Sequence, residues 1–306
     1  MSAGGGKKAI LAALTANAGI AVAKFIGAAI TGSASMLAEG VHSVADTANQ
    51  GLLLFGQRAA AKDADELHQF GYGRNRYFYS FVVALVLFTL GSVYAIYEGI
   101  HKVQHPEELS QPIVAIIILG IAICLETFSF VTAIRESRPL KGTSSWWRFI
   151  RTSRSPELPV VLLEDTGALI GLVIAFGAVG LTMVTDDPIF DGIGTLAIGV
   201  LLGIIAIVLI VEMKSLLIGE GATPEQDRAI RDNLVDGAEI TSVIHLKSEY
   251  IGPEEMLIAA KVAIAPDLDI AEIAEAIDAA EMRVRTAVPA ARLIYLEPDL
   301  YRTQPA

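Results

Sequence analysis

Six apolar segments can be read along the first 218 residues, each near the length that crosses a hydrocarbon core of about 30 Å. They run Ala9–Thr31, Ala34–Gly56, Tyr77–Ile100, Ile113–Ile134, Val160–Val184 and Ile189–Glu212. Thr31-Gly-Ser-Ala separates the first two and Thr185-Asp-Asp-Pro the last two, so both pairs are predicted to form tight hairpins. The pattern changes after Ile218. Gly219-Glu-Gly-Ala-Thr-Pro reads as a linker, and Thr223 ahead of Pro224 marks a helix start for Pro224–Asp236. Ile240–Tyr250 and Glu255–Ile264 read as strands joined at Ile251-Gly-Pro, Ile270–Ala287 as an amphipathic helix, and Ala291–Leu296 as a last short strand. The chain is thus expected to hold a six-helix transmembrane domain at residues 1–218. A small α+β domain of αββαβ order, resembling a ferredoxin-like fold, follows at 219–306.

The basic residues orient the spans. Arg58, Lys62, Arg74 and Arg76 follow the second span, and Arg135, Arg138, Lys141, Arg148, Arg151 and Arg154 follow the fourth. Lys7 and Lys8 precede the first span, Lys214 follows the sixth, and the three intervening loops hold only Lys102. Positive loops stay in the cytoplasm, so both termini are expected inside a multi-pass protein of the cell membrane. Trp146-Trp147-Arg148-Phe149 suits the lipid–water interface.

Composition sharpens this. The chain is 53% hydrophobic and only 19% charged, too little charge to cover a soluble protein of 306 residues. The net charge of −11 lies mostly in the tail, where 17 acidic residues face 8 basic ones from Glu220 onward. An acidic tail offers no footprint for nucleic acid. The single cysteine, Cys124, sits in an apolar run, so no disulfide framework exists. The first residues, MSAGGGKK, carry no signal-peptide cleavage pattern, and the first apolar segment is expected to remain as a span. No nucleophile–base pair, phosphate loop or His-Glu-x-x-His motif suggests an enzyme.

Charged groups inside spans are costly and are therefore read as functional. The second span holds Glu39, His42, Asp46 and Asn49. His42 and Asp46 are four residues apart, on one helical face, an imidazole and a carboxylate at chelating spacing. Such a pair suits zinc and similar borderline ions, although a tetrahedral ion needs further ligands. The fifth span adds Glu164 and Asp165, adjacent residues that point about 100° apart and do not easily face one small site. Lys24 and Asn17 lie in the first span and Glu126 in the fourth. Asn17 and Asn49 read first as hydrogen-bonding groups between helices, Glu39 and Glu98 as structural or solvated, and Glu126 as a residue that pairs within the bundle.

Ala38-Glu-Gly-Val-His-Ser-Val-Ala-Asp resembles the His-Ser-x-x-Asp signature of the cation diffusion facilitator family. Thr31-Gly-Ser-Ala-Ser-Met-Leu before it, Asp46-Thr-Ala-Asn-Gln-Gly-Leu after it and His68-Gln-Phe-Gly-Tyr-Gly-Arg extend the likeness over most of the chain. Asn49-Gln50 after the aspartate is similar to a branch that includes a mitochondrial member in animals. The resemblance implies a homodimeric antiporter that moves zinc, or manganese, cobalt or iron(II), out of the cytosol in exchange for protons, with no resident cofactor. It implies a transport site of two residues on span two and two on span five, each pair at i and i+4. His42 and Asp46 match the first pair and Asp165 the second member of the other, while its first member falls on Val161, which cannot bind metal. Water, Glu164, or an acid or amide from another span would then complete the site.

The resemblance also implies a second site in the loop after span two. Asp65 and His68 match two of its positions and Tyr72 replaces a third ligand. In the tail, Tyr295 stands where some members place a histidine, and His245 is the tail's only histidine, which argues against a zinc cluster there. Proton coupling would follow from competition, since neutral imidazole and ionised carboxylate bind either a metal or protons. The alternative is a transport-inactive membrane sensor or scaffold whose span-five site is incomplete.

Overall fold

The computed structural model describes residues 18–300, apart from the side chains of Glu136 and Leu140. The first nine residues of the first expected span, Asn17 among them, lie outside the described residues. The membrane-type helices are α1 (Ala18–Thr31), α2 (Ala34–Ala60), α3 (Asn75–Gln104), α4 (Pro112–Lys141), α6 (Glu157–Thr185) and α7 (Ile189–Ile218), with a short α5 (Trp146–Thr152) between α4 and α6. Four of these, α3, α4, α6 and α7, are long and apolar enough to cross a membrane. Helix α1 is apolar but shorter over its described length. Helix α2 has 27 residues, yet its polar stripe makes it less apolar than the four.

The α1–α2 hairpin follows from three residues. Gly32 takes the left-handed conformation (φ +70°) that ends α1 cheaply. Ser33 then caps α2, its Oγ accepting from the Met36 amide at 3.2 Å. Asp191, in the first turn of α7, binds the same helix start. Its carboxylate accepts from Ser33 Oγ at 2.8 Å, the Ala34 amide at 2.6 Å and the Ser35 amide at 3.3 Å, and from Ser35 Oγ. An anion against the free N–H groups of a helix start is favoured by both hydrogen bonding and the helix dipole.

Helices α3 and α7 meet backbone to backbone. A Cβ added at Gly99 would lie 2.7 Å from the Leu196 amide nitrogen, and one at Gly199 2.8 Å from that of Ile96. Small residues at such a seam permit close van der Waals packing where lipid removes the hydrophobic drive. Beside it α3 carries a π-helical stretch, Leu87–Val93, from which Ser92 Oγ donates to the Gly199 carbonyl at 2.8 Å.

One ion pair lies wholly inside the bundle. Lys24 of α1 is fully buried, and its Nζ donates to Glu39 Oε2 at 3.1 Å and to Ser43 Oγ at 2.7 Å on α2. Glu39 Oε1 presses toward α6, where a Cβ at Gly171 would stand 2.4 Å from it.

The chain divides into two compact units. The first is residues 1–58, 78–151 and 156–213; the second is residues 59–77, 152–155 and 214–306. In the second, α8 (Pro224–Leu234) and α9 (Ile270–Ala287) accompany a sheet of β1 (Ile240–Gly252), β2 (Glu255–Ile264) and β3 (Ala291–Asp299). Its strand order is β1-β2-β3, with β1–β2 antiparallel and β2–β3 parallel. Both helices start at capping boxes, Thr223 with Gln226 and Asp269 with Glu272. Ile230, Leu234, Met256, Ile258, Val262, Ala280, Val284 and Ile294 form the core. The last strand runs beyond the expected Leu296. Pro298 stays in register opposite Val262, which an edge strand tolerates because proline there forfeits only an outward N–H.

The second unit also takes in two loops. Arg154 binds Glu220 and donates to the Gly221 carbonyl at 3.1 Å, with its guanidinium 5.3 Å from the Tyr250 ring centre. Arg74 pairs with Glu249, and a Cβ at Gly73 would lie 2.9 Å from the Ile251 carbonyl oxygen.

Two stability outcomes follow. Asp191→Ala leaves buried amides and hydroxyls without their acceptor and should cost at least about 2 kcal/mol, read as a lower melting temperature of the purified chain in detergent. Lys24→Met strands the Glu39 carboxylate and should cost about 3–5 kcal/mol, with Lys24→Met/Glu39→Gln recovering most of the loss. A double variant no more stable than Lys24→Met alone would show that the two side chains are not coupled.

Candidate functional site

Helix α2 presents one polar stripe. Glu39, His42, Asp46 and Asn49 recur at three- and four-residue steps, so all four share a face of a 3.6-residue helix. Glu39, His42 and Asn49 are fully buried and the Asp46 side chain is 15% exposed. His42 Nε2 lies 3.6 Å from Asp46 Oδ2, close for an ion pair and long for a hydrogen bond. Neither ring nitrogen of His42 nor Asp46 Oδ1 has a hydrogen-bond partner among the described residues. Buried polar atoms are nearly always satisfied, so such an orphan set asks for a reason.

Helix α6 faces this stripe with its two acids turned apart, as adjacent helical positions must be. Glu164 Oε1 accepts from Asn49 Nδ2 at 2.6 Å, so Asn49 does bridge two helices. Asp165 Oδ2 instead accepts from Ser129 Oγ of α4 at 3.2 Å. Val161 stands one turn before Asp165 and is half-buried. From α4, Glu126 is 92% buried, since only 8% of its surface remains exposed. It stands three residues before Ser129, the residue of α4 that binds Asp165.

The expected residues therefore gather around the α2–α6 interface, but not as a closed cage. Among the described residues no group of three or more His, Cys, Asp or Glu side chains is close enough to hold an ion. Lys24, Ser43 and Ser129 complete the polar interior, although sequence reasoning gave them no role. Ser129 had a readable signal, because it stands three residues after Glu126 on the same helical face.

The loop residues Asp65, His68 and Tyr72 also come together. Tyr72 Oη donates to Asp65 Oδ2 at 2.6 Å, and the Leu67 and His68 amides donate to Oδ1 at 3.0 and 2.7 Å. His68 Nδ1 is 3.4 Å from Asp65 Oδ1. The Tyr72 bond, then that from the His68 amide, holds Asp65 below its ordinary carboxylate range. Both oxygens are thus engaged in shaping the loop. In the tail, His245 and Tyr295 are exposed on β1 and β3.

Comparison with known proteins bears on this arrangement. The sequence profile of the cation efflux transmembrane domain matches residues 10–218. The mouse (Mus musculus) proton-coupled zinc antiporter SLC30A9, mitochondrial, is 33% identical over 248 residues, covering 80% of this chain and 44% of that protein. Metal tolerance protein C4 of Arabidopsis thaliana is 32% identical over 222 residues, covering 71% and 48%. Magnetosome protein MamB of Magnetospira sp. is 24% identical over 284 residues, covering 92% and 90%. The chain spans less than half the length of the first two relatives. With a family match that runs through every bundle helix and takes in His42, Asp46 and Asp165, the chain belongs to the cation diffusion facilitator family of membrane metal transporters and is not an enzyme.

Proposed function

We propose that this protein is a secondary transporter that moves a divalent transition metal, zinc foremost, out of the cytosol in exchange for protons. The observation that carries this reading is the His42–Asp46 pair, buried on the α2 face toward α6, with both imidazole nitrogens unpartnered. A relative 33% identical is named a proton-coupled zinc antiporter, which supports both the ion and the coupling. His42, Asp46 and Asp165 are the ligands in this reading, and Glu164 is held in reserve by Asn49.

The chemistry needs no further group. Imidazole binds a metal only when neutral and carboxylates only when ionised, so protons and metal exclude each other at one site. Proton entry from outside would release the ion, and proton loss to the cytosol would restore its ligands. The rest of the reading is six spans with both termini cytoplasmic, a transmembrane domain at 1–218 and a ferredoxin-like cytoplasmic domain at 219–306. The Asp65–His68 loop is a weaker second site, because Tyr72 and two amides already occupy the carboxylate. The working unit is a homodimer in the cell membrane.

One observation favours a second reading, a transport-inactive sensor or scaffold. Val161 supplies no ligand beside Asp165, and no three described ligands are gathered.

Uptake into proteoliposomes under an imposed pH gradient separates the two, with zinc, manganese, cobalt and iron(II) tested in turn. Zinc flux is expected, abolished when the gradient is collapsed and reduced at least tenfold by Asp165→Ala or His42→Ala. Flux indifferent to the gradient would remove the proton coupling. No flux of any ion from well-folded protein would leave the sensor.

A further inference from the structure

We propose that Glu126 of α4 is a metal ligand of the transport site, supplying the carboxylate that Val161 does not. The inference rests on the transporter reading and concerns how its site is completed.

The buried positions of α4 define its inner face: Ala115, Leu119, Ala122, Glu126, Ala133 and Ser137. They follow three-, four- and seven-residue steps, so Glu126 lies in the middle of a stripe turned into the bundle. That stripe meets α6, because Ser129, one turn from Glu126, donates to Asp165. Glu126 and Asp165 therefore face a common space from two helices.

A purely structural Glu126 would need a donor. Among the described residues none hydrogen-bonds or ion-pairs with it. Lys24, a buried ammonium of the same bundle, is already taken by Glu39 and Ser43. A glutamate on the buried face of a helix, with no donor among the described residues, is costly in an apolar bundle. Its surroundings make the matter worse, because Asp165, which the next turn of α4 reaches through Ser129, is itself an acid. Acids brought together from three helices repel unless a cation or protons lie among them. The His42 imidazole, with neither nitrogen hydrogen-bonded, offers one neutral nitrogen donor, which points to a transition metal rather than an alkali ion.

Glutamate also suits the position. Val161 lies on α6 itself, one turn from Asp165, whereas Glu126 must reach across a helix–helix gap, which its longer side chain permits. A set of one imidazole and three carboxylates fits zinc, manganese or iron(II).

The test uses the full chain, purified in detergent, with zinc alone as the probe. Zinc binding that is lost in His42→Ala identifies the site. Glu126→Gln should weaken that binding at least about tenfold, and Glu126→Gln/Val161→Asp should recover most of it by placing a carboxylate one turn from Asp165. A general packing defect would not be repaired from a different helix. A measurement on the unaltered chain guards against misfolded variants: dicyclohexylcarbodiimide should label Glu126, and saturating zinc should protect it. If Glu126→Gln binds zinc like the unaltered chain while His42→Ala does not, Glu126 is no ligand and the transporter reading stands. Labelling of Glu126 that ignores zinc overturns the inference equally. No His42-dependent zinc binding in the unaltered chain would overturn both.

Discussion

Inside an apolar bundle a charge must find its opposite on another helix, and the Lys24–Glu39 pair is where this constraint acts most plainly. In a medium of low dielectric each side chain holds the other, and each fixes the other's helix. Lys24 Nζ reaches both Glu39 and Ser43, two positions one turn apart on α2. That double hold sets the rotation of α2 about its axis as well as its distance from α1. Rotation is what matters for the site. With Glu39 turned toward α1 and α6, the helical period carries His42, Asp46 and Asn49 along the same buried face. Gly171 on α6 permits it, since any side chain there would meet Glu39 Oε1.

The same bundle contains contacts of two kinds, and they differ in how easily they give. The α3–α7 seam closes backbone to backbone at Gly99 and Gly199, which leaves the two helices little room to separate or rotate. The Asp191 cap ties the start of α2 to α7 through several hydrogen bonds. Around the site the contacts are thinner: one amide on Glu164, one hydroxyl on Asp165 and a 3.6 Å approach between His42 and Asp46. The proposed transport asks for a firm frame and a site that can tighten and loosen, and this distribution of contacts suits both.

How much of this was legible in the sequence depends on the range of the interaction. The hairpin at Gly32 and Ser33, the two capping boxes and the αββαβ order are local, and the residues that cause them stand next to each other. The His42–Asp46 pair was equally legible, because i and i+4 spacing is geometry. The divergence of Glu164 and Asp165 followed from 100° per residue, although their partners, Asn49 and Ser129, did not. Three features were out of reach. Six spans were expected where four described helices meet the apolar criterion, since the start of the first lies outside the described residues and the polar stripe of α2 dilutes it. The π-helical stretch of α3 answers to packing rather than to any residue preference in Leu87–Val93. The loops at residues 59–77 and 152–155 join the second unit through Arg74 and Arg154, which sequence reading counted only as positive charges marking a side.

Charge balance at the site gives the last step. Around α2 and α6 the described acids are Glu39, Asp46, Glu126, Glu164 and Asp165, and the one ammonium among them is Lys24. Lys24 and Glu39 neutralise each other, which leaves four carboxylates beside a titratable imidazole. Their excess negative charge cannot be left bare in a medium of low dielectric, where an unpaired ion costs several kcal/mol even after relaxation. Under the proposed function, bound protons or a bound ion would offset that charge. A divalent ion and two protons carry the same charge, so in the proposed exchange either would offset the same share of the carboxylates' negative charge. In the proposed exchange electrostatics would act beside ligand chemistry: protons arriving as the metal leaves would keep the charge of the interior constant, and a site with fewer acids would lose that coupling.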